Sequence, residues 1–208
     1  MEPFEDKVRR GGAAALEEVG RFFMKEDPVH KALRSIAARL DDLGISYAVA
    51  GGMALVSHGY RRTTEDVDIV VSAEGLTRIH EQLEGLGYVP PFAGSKNLRD
   101  VETGVRIEFL VTGQYPGDGK PKPVAFPDPS SAAVVIDGIR YISLDKLIEL
   151  KLASGLTNPL RLKDLGDVQE LIRAVKPPRS LADRLDASVR DTYLAYWDAI
   201  KAAGDETA

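Results

Sequence analysis
Apolar positions recur at two spacings along the chain, and the elements change where the spacing changes. Val29, Leu33, Ile36, Ala37, Leu40 and Leu43 fall at helical intervals, Asp27 followed by Pro28 supplies a cap and a first-turn proline, and Gly44 ends the run. The pattern predicts a helix over 28–43. The first 25 or so residues read as a further helix, weakened by the Gly11–Gly12 pair. Ser46–Ala50 is a short strand that stops at Gly51–Gly52, and Met53–His58 suit a short helix closed by Gly59. Val67–Val71 is a β-branched strand, Glu74–Leu86 an amphipathic helix, and Gly87–Tyr88 lead back towards strand. Asn97–Glu102 and Val105–Val111 flank Thr103–Gly104 and predict a hairpin with a two-residue turn. Thr112–Pro129, rich in Gly and Pro, reads as an exposed loop. A second hairpin turns at Asp137–Gly138.

After Ser143 the period is helical throughout. Ser143–Ala153 begins on a serine cap, Asn158–Pro159 opens a helix to about Val175, Pro177–Pro178 breaks it, and Ser180–Ala203 forms the last. No internal repeat is present. The expected organisation is an N-terminal helical extension (1–27), an α/β (α+β) core with a mixed sheet flanked by helices (28–142), and a helical C-terminal region packing on that core (143–208).

Composition narrows the class. The 208 residues are 44% apolar and 28% charged, which excludes disordered, collagen-like and fibrous chains. Cysteine is absent, so no disulfide or thiolate metal site is available. No apolar run approaches a membrane span, and the start MEPFEDKVRR lacks a signal core, so a cytoplasmic protein with no membrane partner is expected. Lys and Arg total 27 against 32 Asp and Glu, a formal charge of −5. That argues against extended, sequence-blind binding along a duplex but allows a local basic cleft.

The chemistry concentrates in Tyr47–Val71, YAVAGGMALVSHGYRRTTEDVDIVV. Asp66 and Asp68, two apart on a strand, point to one side and repel each other without a counter-charge. A divalent cation is the natural one, and such carboxylate pairs clamp the metal ions of phosphoryl transfer. Oxygen-only ligands select Mg²⁺ or Mn²⁺. Gly51 and Gly52, lacking side chains, let backbone approach a phosphate closely. Glu108 alternates with Ile107 and Phe109 and offers a third carboxylate on a strand face.

Gly51–Gly52, thirteen intervening residues and Asp66-Val67-Asp68 resemble the signature of the nucleotidyltransferase superfamily, with the DNA polymerase β-like fold. The resemblance implies that Asp66, Asp68 and Glu108 hold metal, although Asp is commoner at the third position. Asp145–Lys151 and the Arg161-Leu162-Lys163-Asp164 motif are similar to the AbiEii-type nucleotidyltransferase toxins of type IV toxin–antitoxin systems. This likeness spans about residues 30–175. It implies a nucleotidyltransferase-type sheet, Lys151 at the nucleotide phosphates, an essential Asp164, an NTP co-substrate, an RNA (tRNA foremost) or protein acceptor and a cognate antitoxin.

The expected reaction moves a nucleoside monophosphate from an NTP to an acceptor hydroxyl. Arg61, Arg62 and Thr64 join Gly51, Gly52 and Lys151 as candidate nucleotide-binding residues. Each also has an ordinary reading: a solvated loop for the arginines and threonine, a snorkelling lysine for Lys151, helix pairing for Asp164 and Asp167. His58 reads as a structural turn residue, and Tyr193, Tyr196 and Trp197 as packing. An aminoglycoside-type adenylyltransferase and a non-catalytic nucleotide-binding module stand as alternative functions.

Overall fold
The computed structural model describes residues 13–205. Helix α1 spans Ala13–Phe23, and the part of the expected first helix at residues 1–12 lies outside the described residues. Helix α2, Pro28–Asp42, begins as its sequence predicts: the Asp27 carboxylate accepts from the N–H groups of Val29 (2.8 Å) and His30 (3.2 Å), and Pro28 takes the first turn. Gly44, at φ +61°, ends it in the left-handed region. Then follow β1 (Tyr47–Val49), α3 (Gly51–Ser57), β2 (Asp66–Val71), α4 (Ala73–Leu83), β3 (Tyr88–Val89), β4 (Leu98–Asp100) and β5 (Arg106–Val111). A single turn α5 (Pro129–Ala132) precedes β6 (Ala133–Ile136) and β7 (Ile139–Ile142). Helices α6 (Leu144–Thr157), α7 (Leu162–Val175) and α8 (Ala187–Asp205) complete the described residues, with 3₁₀ turns at Pro159–Arg161 and Arg179–Arg184.

The seven strands form one mixed sheet in the order β3-β4-β5-β2-β1-β7-β6. β2 runs parallel to β5, and β1 parallel to β7; the other neighbours are antiparallel. The β2–β5 register sets Asp66 opposite Arg106 and Asp68 opposite Glu108. β5 alternates strictly: Ile107 and Phe109 are fully buried while Arg106, Glu108 and Leu110 are half-buried on the other face. Burying each such apolar side chain contributes about 1.5–3 kcal/mol, so a one-residue slip that exchanged the faces would be strongly opposed. The core continues from the sheet into the C-terminal helices through Leu147, Ile148, Val168, Leu171 and Tyr193.

Four expectations change in detail. The β4–β5 connection is a five-residue loop, Val101–Val105, because the Asp100 carboxylate accepts from the N–H groups of Glu102 and Thr103 and widens the turn. Ser143 occupies the cap position of α6 without a side-chain cap bond. The segment after Pro178 first forms a 3₁₀ turn, and α8 starts only at Ala187. Thr112–Pro129 is not a free surface loop: Val124 is buried, and Gly113 and Phe126 donate to Phe126 and Gln114 carbonyls. The second hairpin turns as predicted, with Asp137 (φ +49°) and Gly138 (φ +79°) in the conformation of a primed turn.

Candidate active site
The end of β1 is tied to β2 by a hydrogen bond from Ala50 N–H to the Asp68 carbonyl (2.8 Å). At this corner the chain must be glycine. Gly51 sits at φ +56°, and a Cβ there would lie 1.7 Å from Asp68 Oδ2. A Cβ on Gly52 would lie 2.5 Å from Thr64 Oγ1. The Gly–Gly pair therefore gives the Asp68 carboxylate and the Thr64 hydroxyl their room, and leaves bare backbone facing the cavity.

Asp66, Asp68 and Glu108 converge: one oxygen from each lies within 4.8 Å of the others. Thr64 Oγ1 donates to Asp66 Oδ1 (3.0 Å). Arg106, opposite Asp66 in the register, places Nη2 2.6 Å from Glu108 Oε1 and 3.4 Å from Asp66 Oδ2. One guanidinium against three carboxylates leaves the group short of positive charge. Burial, then the neighbouring Asp66 and Glu108, push the Asp68 carboxyl up to about 7, against the pull of Lys151 and Arg161. Three hard oxygen donors with an unmet demand for positive charge fit a Mg²⁺-class cation.

The facing wall comes from α6, α7 and the loop before β2. Lys151 Nζ donates to Asp164 Oδ1 (2.6 Å) and Asp167 Oδ2 (2.7 Å). Asp164 Oδ2 accepts from Ser154 Oγ (2.7 Å) and Arg161 Nε (2.9 Å), and Arg62 Nη1 reaches both Asp167 oxygens at 2.8 Å. Three cations thus meet two acids. Burial pushes the Asp164 carboxyl up, but the Lys151 charge, the bonds from Lys151 and Ser154 and the Arg161 charge outweigh it and hold it below the usual range.

Between the walls lies a cavity of about 820 Å³ lined by both sets of residues, and by Gln114, Tyr115, Pro116 and Phe126 from the loop after β5. That volume is in the range of small-molecule sites. Gly51, Gly52, Arg62, Thr64, Asp66, Asp68, Glu108, Lys151 and Asp164 all line it. Arg61 does not; its side chain is exposed outside the lining. His58 Nε2 is 2.8 Å from the Ile142 carbonyl, a structural contact. Tyr193 is buried, Trp197 Nε1–H donates to the Pro177 carbonyl, and Tyr196 packs on the core.

Sequence reasoning leaves three contributors out of the site, reading Asp167 only as a helix-pairing acid. Arg106 shares the parity of Glu108 on β5, which was the available signal. Asp167 lies three residues after Asp164 on one helical face, a spacing shared with ordinary solvated acids. The loop after β5 carried no signal beyond its glycines and prolines.

No protein-family model and no curated protein matches the sequence. Among solved structures, an antigenic nucleotidyltransferase-like protein from Paracoccidioides brasiliensis is similar over 85% of this chain and 89% of its own, at 18% identity and a TM-score of 0.52. ANT(2'')-Ia, solved in complex with adenylyl-2''-tobramycin, aligns over 81% of this chain and 96% of its own, at 14% identity and a TM-score of 0.49. The fold is of the nucleotidyltransferase type. Among the described residues, no helix is long and apolar enough to cross a membrane.

Proposed function
We propose that the protein is a divalent-metal-dependent nucleotidyltransferase that moves a nucleoside monophosphate from an NTP to an acceptor hydroxyl and releases pyrophosphate. The observation that carries this reading is the opposition, across one cavity, of an under-neutralised carboxylate triad and a wall of cations held by two buried acids. Asp66, Asp68 and Glu108 would hold Mg²⁺ or Mn²⁺. When bound, the metal supplies charge neutralisation at the triphosphate and acidifies the acceptor hydroxyl.

The chain's own residues do the rest. Bare backbone at Gly51–Gly52 lets the phosphates approach, while Lys151, with Arg62 and Arg161 beside it, presents positive charge to them. Thr64 holds the Asp66 carboxylate by its hydroxyl bond. Asp164 fixes Lys151 through a 2.6 Å contact and orients it toward the cavity. Resemblance of the Lys151 and Arg161–Asp164 segments to AbiEii-type toxins favours an RNA end, tRNA foremost, or a protein as acceptor, and a cognate antitoxin as partner. The location of Lys151 and Asp164 in the cavity wall supports their part at the nucleotide.

The test is transfer of α-labelled NTPs, with Mg²⁺, to total cell RNA and to cell protein. Label is expected in a macromolecular fraction, and chelation or Asp66→Ala should reduce it by roughly 10³-fold or more, the scale of removing the charge stabilisation of a transition state. Expression of the wild type, but not of the variant, should arrest growth. A folded Asp66→Ala protein that transfers at the wild-type rate would remove the reaction.

A further inference from the structure
The loop from Gly59 to Glu65, which joins α3 to β2, borders two cavities, the main one and a second of about 440 Å³ shared with α7, and Arg62, Thr63, Lys163 and Asp167 line both. A segment that borders two cavities has little packing to fix it. Yet it carries Thr64, whose hydroxyl must meet Asp66 and sit against Gly52.

We propose that Asp167 is a positioning residue for the transfer reaction, its carboxylate fixing Lys151 and the Arg62 loop at once; this rests on the nucleotidyltransferase reading. Only 4% of the Asp167 side chain is exposed, so its charge needs close partners. It has two, from different parts of the chain: Lys151 on α6 at 2.7 Å and Arg62 at 2.8 Å to each oxygen. Arg62 in turn donates from Nε to the Thr63 carbonyl (3.2 Å), bracing its own loop one residue before Thr64. The path runs from α7 through Asp167, Arg62 and Thr64 to the Asp66 carboxylate. Asp164 cannot substitute, because its second oxygen is taken by Ser154 and Arg161. Without Asp167, Lys151 keeps one carboxylate instead of two and the loop loses its tie to the helical wall.

The experiment compares Asp167→Asn, which keeps the shape and removes the charge, with Arg62→Gln, which breaks the pair from the other side. Amide hydrogen exchange at residues 60–65 should accelerate about tenfold or more in both, with 67–71 in β2 unchanged. The KM for NTP should rise about tenfold in Asp167→Asn with kcat within about threefold, because a displaced Lys151 and Arg62 weaken binding of substrate and transition state alike. The double variant should fall well short of the product of the two single effects, since the pair is broken once. Unchanged exchange at 60–65, an unchanged KM, or fully additive effects would each overturn the proposal. A wild type that binds no NTP would instead overturn the reading beneath it, recognisable because wild type and variants then fail alike while the loop exchange still separates them.

Discussion
The two walls of the cavity are built from the same kinds of side chain and behave oppositely. On the sheet wall, three carboxylates share the Arg106 guanidinium, and Asp68 is pushed up to about 7. On the helical wall, Asp164 and Asp167 are more deeply buried, yet Lys151, Arg62 and Arg161 surround them and Asp164 is held low. Burial alone therefore does not decide how a carboxylate behaves; the count of cations within reach does. The sheet wall is an acceptor for added positive charge, whereas the helical wall is already compensated and has no use for a metal.

The largest effect that would break this contrast is on stability. Asp164→Asn should destabilise the protein by about 3 kcal/mol, because it leaves Lys151 and Arg161 short of a buried partner; on a chain of this size that is roughly a 6–12 °C fall in Tm. Asp68→Asn should do the reverse in the absence of divalent metal, stabilising by on the order of 1–2 kcal/mol at pH 8, since it removes a repelled charge at nearly constant shape. The signs follow from linkage. A carboxyl raised in the folded state loses stability as pH rises from its ordinary 3.8 towards 7, so the Asp68→Asn gain should vanish below about pH 4, grow between 4 and 7 and level off above. A carboxyl lowered in the folded state contributes stability above its ordinary value of 3.8, so the charge part of the Asp164→Asn loss should stay level from pH 5 to 8 and close only at stronger acid. Thermal melts of both variants across pH, with chelator, read this directly. Two variants of the same sign at pH 8 would remove the distinction between the walls.

A smaller effect sharpens the sheet wall. Gly51→Ala forces a Cβ to within 1.7 Å of Asp68 Oδ2 at a positive φ, so either the carboxylate or the corner must move. The expected cost is about 1–3 kcal/mol of backbone and contact strain, with loss of Mn²⁺ binding measured by calorimetry without nucleotide. Retention of wild-type Mn²⁺ affinity would mean that Asp68 is not held where the glycine leaves room for it.

Much of the sheet wall was legible in the sequence because a strand's period of two is unambiguous. Asp66 and Asp68 share a face by parity, Glu108 sits between Ile107 and Phe109, and the glycine pair marks where β1 must turn. The order of strands was not legible, since nothing local dictates that β5 pairs with β2 in parallel. Nor was the role of the loop after β5: glycines and prolines mark irregular backbone, and they do not say whether that backbone lies in solvent or closes a cavity. The helical wall was half legible. Lys151 and Asp164 were reached through resemblance, whereas Asp167 is a helical acid whose importance comes from Arg62, 105 residues earlier in the chain. Pairs so distant in sequence leave no trace in spacing.

The smallest effect concerns the adjacent arginines, which sequence placed together and the fold separates. Arg62 lies 14% exposed in the side chain against Asp167, while Arg61 is exposed outside the cavity lining. A guanidinium standing in water contributes little to stability, about 0–0.5 kcal/mol for a surface change of this kind. Its attraction for a triphosphate in the cavity is screened by solvent and by salt at physiological ionic strength. Arg61→Ala should therefore leave Tm within about 2 °C and the KM for NTP within about twofold of wild type, while Arg62→Gln raises KM. The useful measurement is KM at low and at physiological salt. A salt-sensitive change in Arg61→Ala confined to the acceptor would make Arg61 part of an approach surface for a polyanion. An equal change in KM for NTP from both arginines would mean that the loop turns Arg61 inward when substrate binds, and the separation seen here would not describe the working site.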